Sequence, residues 1–555
     1  MRTYRAIALF ALTVGFATLV GDLTVAAAPQ TKKEKRLLKQ ESATGAPSAP
    51  AKLIVGPVGP KDAVALAKLI DDSILKKLAE VKVSPATACT DEEFLRRAYL
   101  DLTGVIPTVD KARAFLDNTD PAKRSKLVDE LLASPNFGRH LADVWQAKLM
   151  PRDSGNRFVL RDPFVNWLEE RFNKNTPWNQ FVFDLVTAAG TVEENPAVTY
   201  FLANRSVDKL TDGVCQKFLG VQLSCAQCHN HPFAEYKQTE YWGMAEFFSK
   251  VRPDNPKNAN KGGDNTKIGV QDGLVRTKTK DFFPESAKTV AAKFLGGPTP
   301  KLGPNEPYRP VLARWMTAPE NPYFAKAIVN RTWGMLFGTG FVNPIDDMHD
   351  GNPPSHPELL ATVAQNFATN GFDLKYLYRS ICTSQTYQRT SKPTPGGQKG
   401  ENLFSHMTVK VFSPEQLYDS LTVVTGPEKA ANERGGKAAG KKGGLGGGRD
   451  GFVQFFLAGA DAAHPTEYDA GIPQALRLMN SRVTGNPGLV RQFASPGDRP
   501  AIVIERIYLA ALSRRPTAAE TGRLTGYLAK ASTPTEGYAD ILWAVLNSSE
   551  FTMIR

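Results

Sequence analysis

Apolar residues recur every three or four positions along most of this chain, a spacing that places them on one face of an α-helix. The first such run is Ala63, Leu66, Ala67, Ile70, Ile74 and Leu78. Similar runs predict helices over 109–117, 121–134, 137–149, 163–173 and 177–188, and later over 309–316, 322–337, 357–369, 374–383, 472–480, 500–513, 517–530 and 537–547. The pattern predicts a mainly α protein.

Capping signals mark the starts of two further helices. Thr90 and Glu93 have the spacing of a capping box, in which two side chains satisfy the first free backbone N–H groups of a helix. Ser413 and Gln416 have the same spacing. We expect one helix to begin after Thr90 and another after Ser413.

Segments rich in Gly, Pro, Asn and Lys interrupt the helical pattern. Within one of them, residues 252–305, a β segment is predicted at 268–278, and we expect a small hairpin in this stretch. We therefore predict two helical domains joined by a Gly/Pro/Asn-rich stretch with a small β-hairpin. The predicted segments are a signal peptide at 1–28, a flexible lead at 29–60, a first helical domain at 61–251, an interdomain segment at 252–305, and a helical C-terminal domain at 306–551 with a mobile Gly/Lys loop at 427–451.

The first 28 residues have the three parts of a secretory signal. Arg2 and Arg5 supply the positive charge, residues 6–20 are apolar, and residues 25–28 are small, as a cleavage site requires. An uncleaved anchor is the alternative, although the apolar run is shorter than the roughly 20 residues of a membrane span. We expect an exported protein, periplasmic or associated with the cell envelope, with no transmembrane span after cleavage.

Composition places the chain among globular proteins and its charge suggests acidic partners. Hydrophobic residues make up 42% and charged residues 22% of the chain, and the net charge is +12. Basic residues concentrate near residues 32–39 and 434–449. Such runs are usually solvated tethers, and the alternative is that they contact an anionic polysaccharide or an acidic redox partner. Export argues against nucleic acid as a partner.

One short motif carries the most specific chemistry. Cys225, Cys228 and His229 form a CxxCH sequence, the attachment signature of a c-type haem, in which two thiols bind the porphyrin and the histidine binds the iron. On a helical turn these three positions share one face. Two alternatives stay open: a zinc or other divalent-metal site that also uses His229 or His231, and a redox-active disulfide.

The iron of a haem bound at this motif can take a second side chain as its sixth ligand. Met244 and His231 are the candidates, because thioether and imidazole groups both bind haem iron. Core packing is the alternative for Met244, and hydrogen bonding to a ligand is the alternative for His231.

A second polar cluster lies in the C-terminal half. Asp346, Asp347, His349 and His356 fall in a Pro/Gly-rich segment, and carboxylates with imidazoles can bind a cation or perform acid–base catalysis. In the alternative interpretation the acids cap a helix, and Arg331 forms a structural bridge with them. Ser355 is then the expected N-cap of helix 357–369, with Glu358 at the third position (N3).

These motifs resemble a known family pair. The matching segments are 219–233, 241–244, 330–333, 346–348, 352–360, 371–374, 513–516 and 546–551. They are similar to exported proteins, best known from planctomycetes, that join a CxxCH-bearing planctomycete cytochrome domain of unknown function to a second domain of unknown function. The resemblance implies an acidic residue where this chain has Asn230 and Ala234, so a cation site that uses those carboxylates is in doubt here.

Together these observations predict an exported c-type haem protein with one covalent haem, which exchanges electrons with a periplasmic or envelope redox partner. The alternative is an envelope enzyme or binding protein that acts on polysaccharide, with a divalent metal or no cofactor at the CxxCH motif. No phosphate loop, dinucleotide fingerprint or nucleophile elbow is present, so no catalytic residue is assigned.

Overall fold

The computed structural model describes nine segments of the chain: 62–151, 159–253, 267–273, 287–303, 305–394, 403–426, 448–457, 472–480 and 487–555. The predicted signal peptide, the flexible lead and the 427–447 part of the predicted Gly/Lys loop lie outside the described residues. In the described residues, we find no helix that combines the length and the apolar character needed to cross a membrane.

Ten helices precede residue 250 in the described residues, and they confirm the predicted mainly α class. They are α1 (Ala63–Glu80), α2 (Asp91–Thr103), α3 (Val109–Asp117), α4 (Lys123–Ala133), α5 (Pro135–Leu149), α6 (Arg161–Asn173), α7 (Trp178–Val186), α8 (Thr199–Ala203), α9 (Val207–Val214) and α10 (Gln238–Glu246). A π-helical turn, Cys215–Leu219, continues α9, and a short 3₁₀ helix, Ser224–Gln227, follows it.

Helices also dominate the described C-terminal half. They are α11 (Arg309–Met316), α12 (Phe324–Phe337), α13 (Pro357–Thr369), α14 (Leu374–Cys382), α15 (Pro414–Thr425), α16 (Gly448–Leu457), α17 (Ile472–Met479), α18 (Pro500–Leu512), α19 (Ala518–Leu528), α20 (Pro534–Leu546) and α21 (Ser549–Thr552). The Ser413–Gln416 capping box is confirmed, since both of its hydrogen bonds form.

Two small antiparallel sheets complete the described fold. The strands β1 (Gly190–Thr191), β2 (Val251–Pro253) and β3 (Gly269–Asp272) form one sheet in the order β1-β3-β2. The strands β4 (Lys410–Val411) and β5 (Met553–Ile554) form the other. Strand β3 lies in the β segment predicted at 268–278, and it pairs antiparallel with β2, the strand that precedes it in the chain.

Buried apolar residues from both halves of the chain form one continuous cluster. It includes Trp145 and Trp178 from the first half and Trp333 and Phe367 from the second. The indole rings of Trp145 and Trp178 lie 4.8 Å apart between centroids. The predicted domain boundary at 252–305 stays a prediction, and in the described residues the two halves share this core.

Two arginines of α2 bind backbone of the C-terminal half across that core. Arg96 donates to the carbonyl oxygens of Ala511 at 2.9 Å and Phe551 at 2.6 Å. Arg97, which is 1% exposed, donates to those of Tyr387 at 2.7 Å and Arg389 at 3.0 Å. Because buried carbonyl groups need donors, these contacts fix the C-terminal segments on α2.

Candidate cofactor site at the CxxCH turn

The chain reaches the CxxCH motif through a tight reversal after the π-helical turn. Gly220 ends that turn in the left-handed conformation, with φ +69°, which a glycine adopts without strain. Leu223 and Ala226 are buried and anchor the 3₁₀ helix on the core. The residues between and after these anchors are left at the surface.

Both thiols of the motif are exposed and free. Cys225 lies in the 3₁₀ helix and Cys228 follows its last residue. Side chains three positions apart lie on the same side of a 3₁₀ helix, so this turn suits thiols that must reach one group. Among the described residues, no three His, Cys, Asp or Glu side chains form a group that could hold a metal ion.

His229 is held in the tautomer that an iron ligand requires. Its Nδ1 lies 2.7 Å from the carbonyl oxygen of Asn230, which can only accept, so we assign the proton to Nδ1. The Nε2 atom of this exposed ring then keeps its lone pair. A backbone carbonyl that binds Nδ1–H is a common partner of metal-binding histidines.

The first turn of α10 and its Trp242 fix the backbone of the motif. Gln238 donates its side-chain amide to the carbonyl oxygens of Gln227 at 3.1 Å and Cys228 at 2.9 Å. Trp242 donates its indole N–H to the same Gln227 oxygen at 3.1 Å. The side-chain oxygen of Asn230 accepts the backbone N–H of Gln238 at 3.0 Å. An asparagine thus fills the position where the family resemblance implies an aspartate.

His231 has the opposite tautomer from His229. Its Nδ1 accepts the backbone N–H groups of Phe233 at 3.3 Å and Ala234 at 3.0 Å, so the proton of the neutral ring is on Nε2. Burial, reinforced by the neighbouring His349, lowers the pKa of His231. With one nitrogen bonded and the other protonated, this ring does not offer a free lone pair to a metal ion.

The structure brings the second polar cluster next to the CxxCH motif. The backbone N–H of Met348 donates to the Gly220 oxygen at 2.9 Å, and the Tyr236 hydroxyl donates to the Met348 oxygen at 3.1 Å. The rings of His231 and His349 lie 6.3 Å apart between centroids. Sequence separation alone, more than 100 residues, gives no sign of this proximity.

Asp346 forms a buried ion pair with Arg331, as the structural interpretation predicted. Both side chains are almost fully buried, and the guanidinium also lies 5.4 Å from the Trp145 ring centroid. Lys217 of the π-helical turn lies close to them. Burial lowers the pKa of Lys217 to about 8, and the positive charge of Arg331 acts in the same direction.

Asp347 and His349 lie at the outer edge of the same loop. The His349 Nε2 lies 3.7 Å from an Asp347 carboxylate oxygen, and its Nδ1 accepts the Gly351 N–H at 3.1 Å. His349 therefore has the same Nε2–H tautomer as His231. These two rings present N–H groups rather than lone pairs.

His356 is an aromatic core residue. It is 5% exposed, and its ring packs 6.0 Å from Phe341 and 5.4 Å from Phe404 between centroids. Burial lowers its pKa to about 4. The predicted cap is also corrected: α13 begins at Pro357 as predicted, but His356 rather than Ser355 is its N-cap, so Glu358 occupies the second helical position.

Met244, the other candidate iron ligand, is fully buried in the core cluster on α10. Packing accounts for it in this structure. Gln238, Tyr236 and Lys217 were not identified from the sequence. Their roles depend on contacts with other segments, and their local sequence shows none of the spacings that mark a site.

Comparison with protein families gives two matches. Residues 69–253 match the family PSCyt2, described as a protein of unknown function (DUF1549), and residues 308–442 match PSD1, described as a protein of unknown function (DUF1553). Comparisons with curated proteins and with solved structures give no match. The first match contains the CxxCH turn and the second contains the 346–350 loop that lies against it. The chain therefore belongs to the proteins that pair a PSCyt2, or planctomycete cytochrome, domain with a C-terminal PSD1 domain.

Proposed function

We propose that this chain is an exported c-type haem protein that transfers single electrons in the periplasm or cell envelope. The observation that carries the proposal is the hydrogen bond from His229 Nδ1 to the Asn230 oxygen, on the same turn as two exposed thiols. In the neutral ring this bond leaves the lone pair of Nε2 available, as an iron ligand requires. A bound haem supplies one-electron chemistry.

The residues around the turn have separate tasks in this proposal. Cys225 and Cys228 would hold the haem covalently, and His229 would bind its iron through Nε2. Gln238 and Trp242 fix the carbonyl groups of the turn, so the two thiols and the ring keep their relative positions. His231 is not the proximal ligand, because its Nδ1 already accepts two backbone N–H groups.

A divalent-metal site at the CxxCH motif is less well supported. Such a site needs three or four ligands around one point, and no such group occurs in the described residues. The nearby His231 and His349 both have Nε2–H tautomers. The thiols of a c-type haem, in contrast, bind two different positions of a wide ring, so they need not converge.

A haem-stained denaturing gel tests the proposal, using protein expressed with its own signal sequence in a host with working cytochrome maturation. We expect a haem-positive band that is lost in Cys225→Ser/Cys228→Ser. The control is Cys89→Ser, since Cys89 is a buried thiol outside the motif; its band should remain. Folded wild-type protein without covalent haem contradicts the proposal. Fractionation of the same cells tests export, which predicts the band outside the cytoplasm.

A further inference from the structure

An aromatic side chain lies unprotected beside the CxxCH turn. Phe233 is 81% exposed, the largest exposed fraction among the large apolar side chains of the described residues. It follows His229 by four positions. Most exposed apolar residues are isolated and need no explanation, but one next to a functional motif with a polar rim is typical of an interaction site.

The loop that carries Phe233 is held on both sides, so its exposure is not the fraying of a free segment. The His231 N–H donates to the Tyr236 oxygen at 2.8 Å, which closes the loop. The Phe233 N–H donates to the His231 ring. On the other side, a Cβ atom at Gly351 would lie 3.2 Å from the Phe233 oxygen, so a glycine allows the C-terminal loop to pack closely there.

Three acidic residues lie on the two loops that meet at the Phe233 backbone. Glu235 and Asp350 are exposed and Asp347 is partly exposed, and they come from both sides of the contact between the two loops. Lys237 is the exposed cation of the same segment. This local excess of negative charge is opposite in sign to the +12 charge of the whole chain.

We propose that Phe233, with its rim of Glu235, Asp347 and Asp350, is the docking surface for a redox protein that presents basic residues around an apolar contact. This inference rests on the proposed haem function and names its partner. An apolar centre excludes water at the contact, while complementary charges at the rim steer the encounter. The position of the surface, next to the thiols and His229, puts a docked protein close to the electron source.

The acidic rim favours a basic redox protein over an anionic polysaccharide as the partner at this surface. An anionic polysaccharide is repelled by three carboxylates and is attracted elsewhere by the basic parts of the chain. A basic redox protein is attracted by the rim even though the whole chain repels it. Local charge dominates at contact because charges beyond about 8–10 Å are screened at physiological ionic strength.

Small redox reagents of opposite charge test the rim on the haem-loaded chain. In stopped-flow experiments a tris(phenanthroline)cobalt(III) cation or ferricyanide takes one electron from the reduced protein, with no atom transferred. We expect the rate constant with the cation to fall as salt rises, and to fall about threefold or more in Glu235→Gln/Asp350→Asn at low salt. The control Asp110→Asn/Glu536→Gln removes two exposed carboxylates elsewhere and should leave the rate within about twofold.

A protein probe tests the apolar centre. With a basic cytochrome c as electron acceptor, Phe233→Ser should lower the second-order rate constant about threefold or more, whereas the rates with both small reagents stay the same. The control Leu476→Ser changes an apolar residue that is 51% exposed on α17 and should have no effect. Acetylation of the lysines of the probe should abolish the difference between wild type and the rim variant.

The outcomes separate this inference from the function on which it rests. A haem-loaded chain whose rate constant with the cobalt cation does not fall as salt rises, or whose rates ignore the rim and Phe233 substitutions, overturns the docking surface alone. Retention on an anionic polysaccharide that Phe233→Ser abolishes also overturns it, since the surface then has another occupant. A chain without haem overturns the proposed function and this inference together.

Discussion

The hydrogen bonds of three histidines distinguish their chemistry. His229 donates through Nδ1 and keeps a lone pair at Nε2, while His231 and His349 accept backbone N–H groups at Nδ1. The sequence predicts His229 as a ligand from the CxxCH spacing. The sequence does not show that His231 is a poorer ligand than His229. The tautomer of His231 depends on how the backbone of Phe233 and Ala234 folds back onto its ring.

Substitution of Asp346 measures how much the buried ion pair with Arg331 stabilises the folded protein. Asp346→Asn keeps the shape of the side chain, and asparagine tolerates the left-handed backbone at this position, where φ is +73°. Arg331 then remains buried without its carboxylate. We expect the free energy of unfolding in urea to fall by about 3–5 kcal/mol.

A double variant provides the control for this substitution. Arg331→Met/Asp346→Asn removes the buried charge as well, so it should be more stable than Asp346→Asn alone. A loss of less than about 1 kcal/mol in the single variant contradicts the account of a desolvated pair. It would indicate that Arg331 is solvated in this position.

His356 links stability to pH. Its pKa is about 4 in the folded protein, below the ordinary value of 6.5, so between these values the unfolded chain binds more protons. Stability therefore falls as pH drops from 6.5 towards 4, by about 3 kcal/mol for this residue. Urea unfolding at pH 6.5 and at pH 4.5 measures how much free energy of unfolding each protein loses as the pH falls. This loss should be about 2–3 kcal/mol smaller in His356→Leu than in wild type. An equal loss in both proteins contradicts the prediction.

At the scale of elements, helices are predictable from the sequence and their junctions are less so. The predicted bounds 109–117 and 357–369 agree with α3 and α13, because apolar spacing and capping residues mark them locally. The cap of α13 differs by one residue since Pro357 takes the first helical position. Strand β1, only two residues long, has no periodicity to detect, and its partner β3 lies nearly 80 residues away.

Gly220 joins the elements that build the candidate site. In Gly220→Ala, the new methyl group lies 3.2 Å from the Ala327 Cβ and displaces the flexible end of the Met348 side chain, and the left-handed backbone is strained. Gly497→Ala is the matched control, since it has φ +87° but nothing within 4 Å of the new methyl group. The control should lose about 1–2 kcal/mol of stability, and Gly220→Ala about 1–3 kcal/mol more.

Hydrogen exchange measures the local effect of the Gly220→Ala substitution. The Met348 N–H, which is bonded to the Gly220 oxygen, should exchange faster in Gly220→Ala than in Gly497→Ala. Equal stabilities and equal exchange in the two variants contradict the proposed contact between the π-helical turn and the 346–350 loop.

At the level of the whole molecule, the PSCyt2 match contacts the C-terminal half of the chain through buried hydrogen bonds. The PSCyt2 match ends at residue 253, yet its Arg96 and Arg97 bind carbonyl groups beyond residue 380. The sequence identifies the CxxCH and the 346–350 motif separately. It does not predict that they meet, because their proximity depends on packing between distant helices rather than on local spacing.

A truncated chain tests whether the first half folds without these hydrogen bonds. A fragment of residues 62–253 leaves the buried guanidinium groups of Arg96 and Arg97 without their acceptors and exposes the shared core. We expect no cooperative thermal unfolding and weak near-ultraviolet circular dichroism for this fragment. Co-expression with residues 306–555 should restore both signals. A fragment that unfolds as cooperatively as the whole chain contradicts the shared core.

Covalent attachment of haem changes the intact mass of the mature chain, which can be measured on protein produced with its signal sequence in a host that matures c-type cytochromes. We expect one added haem per chain, and we expect peptide mapping to place it on the peptide that contains Cys225 and Cys228. A well-folded chain with the mass of the bare polypeptide rules out a c-type haem at Cys225 and Cys228.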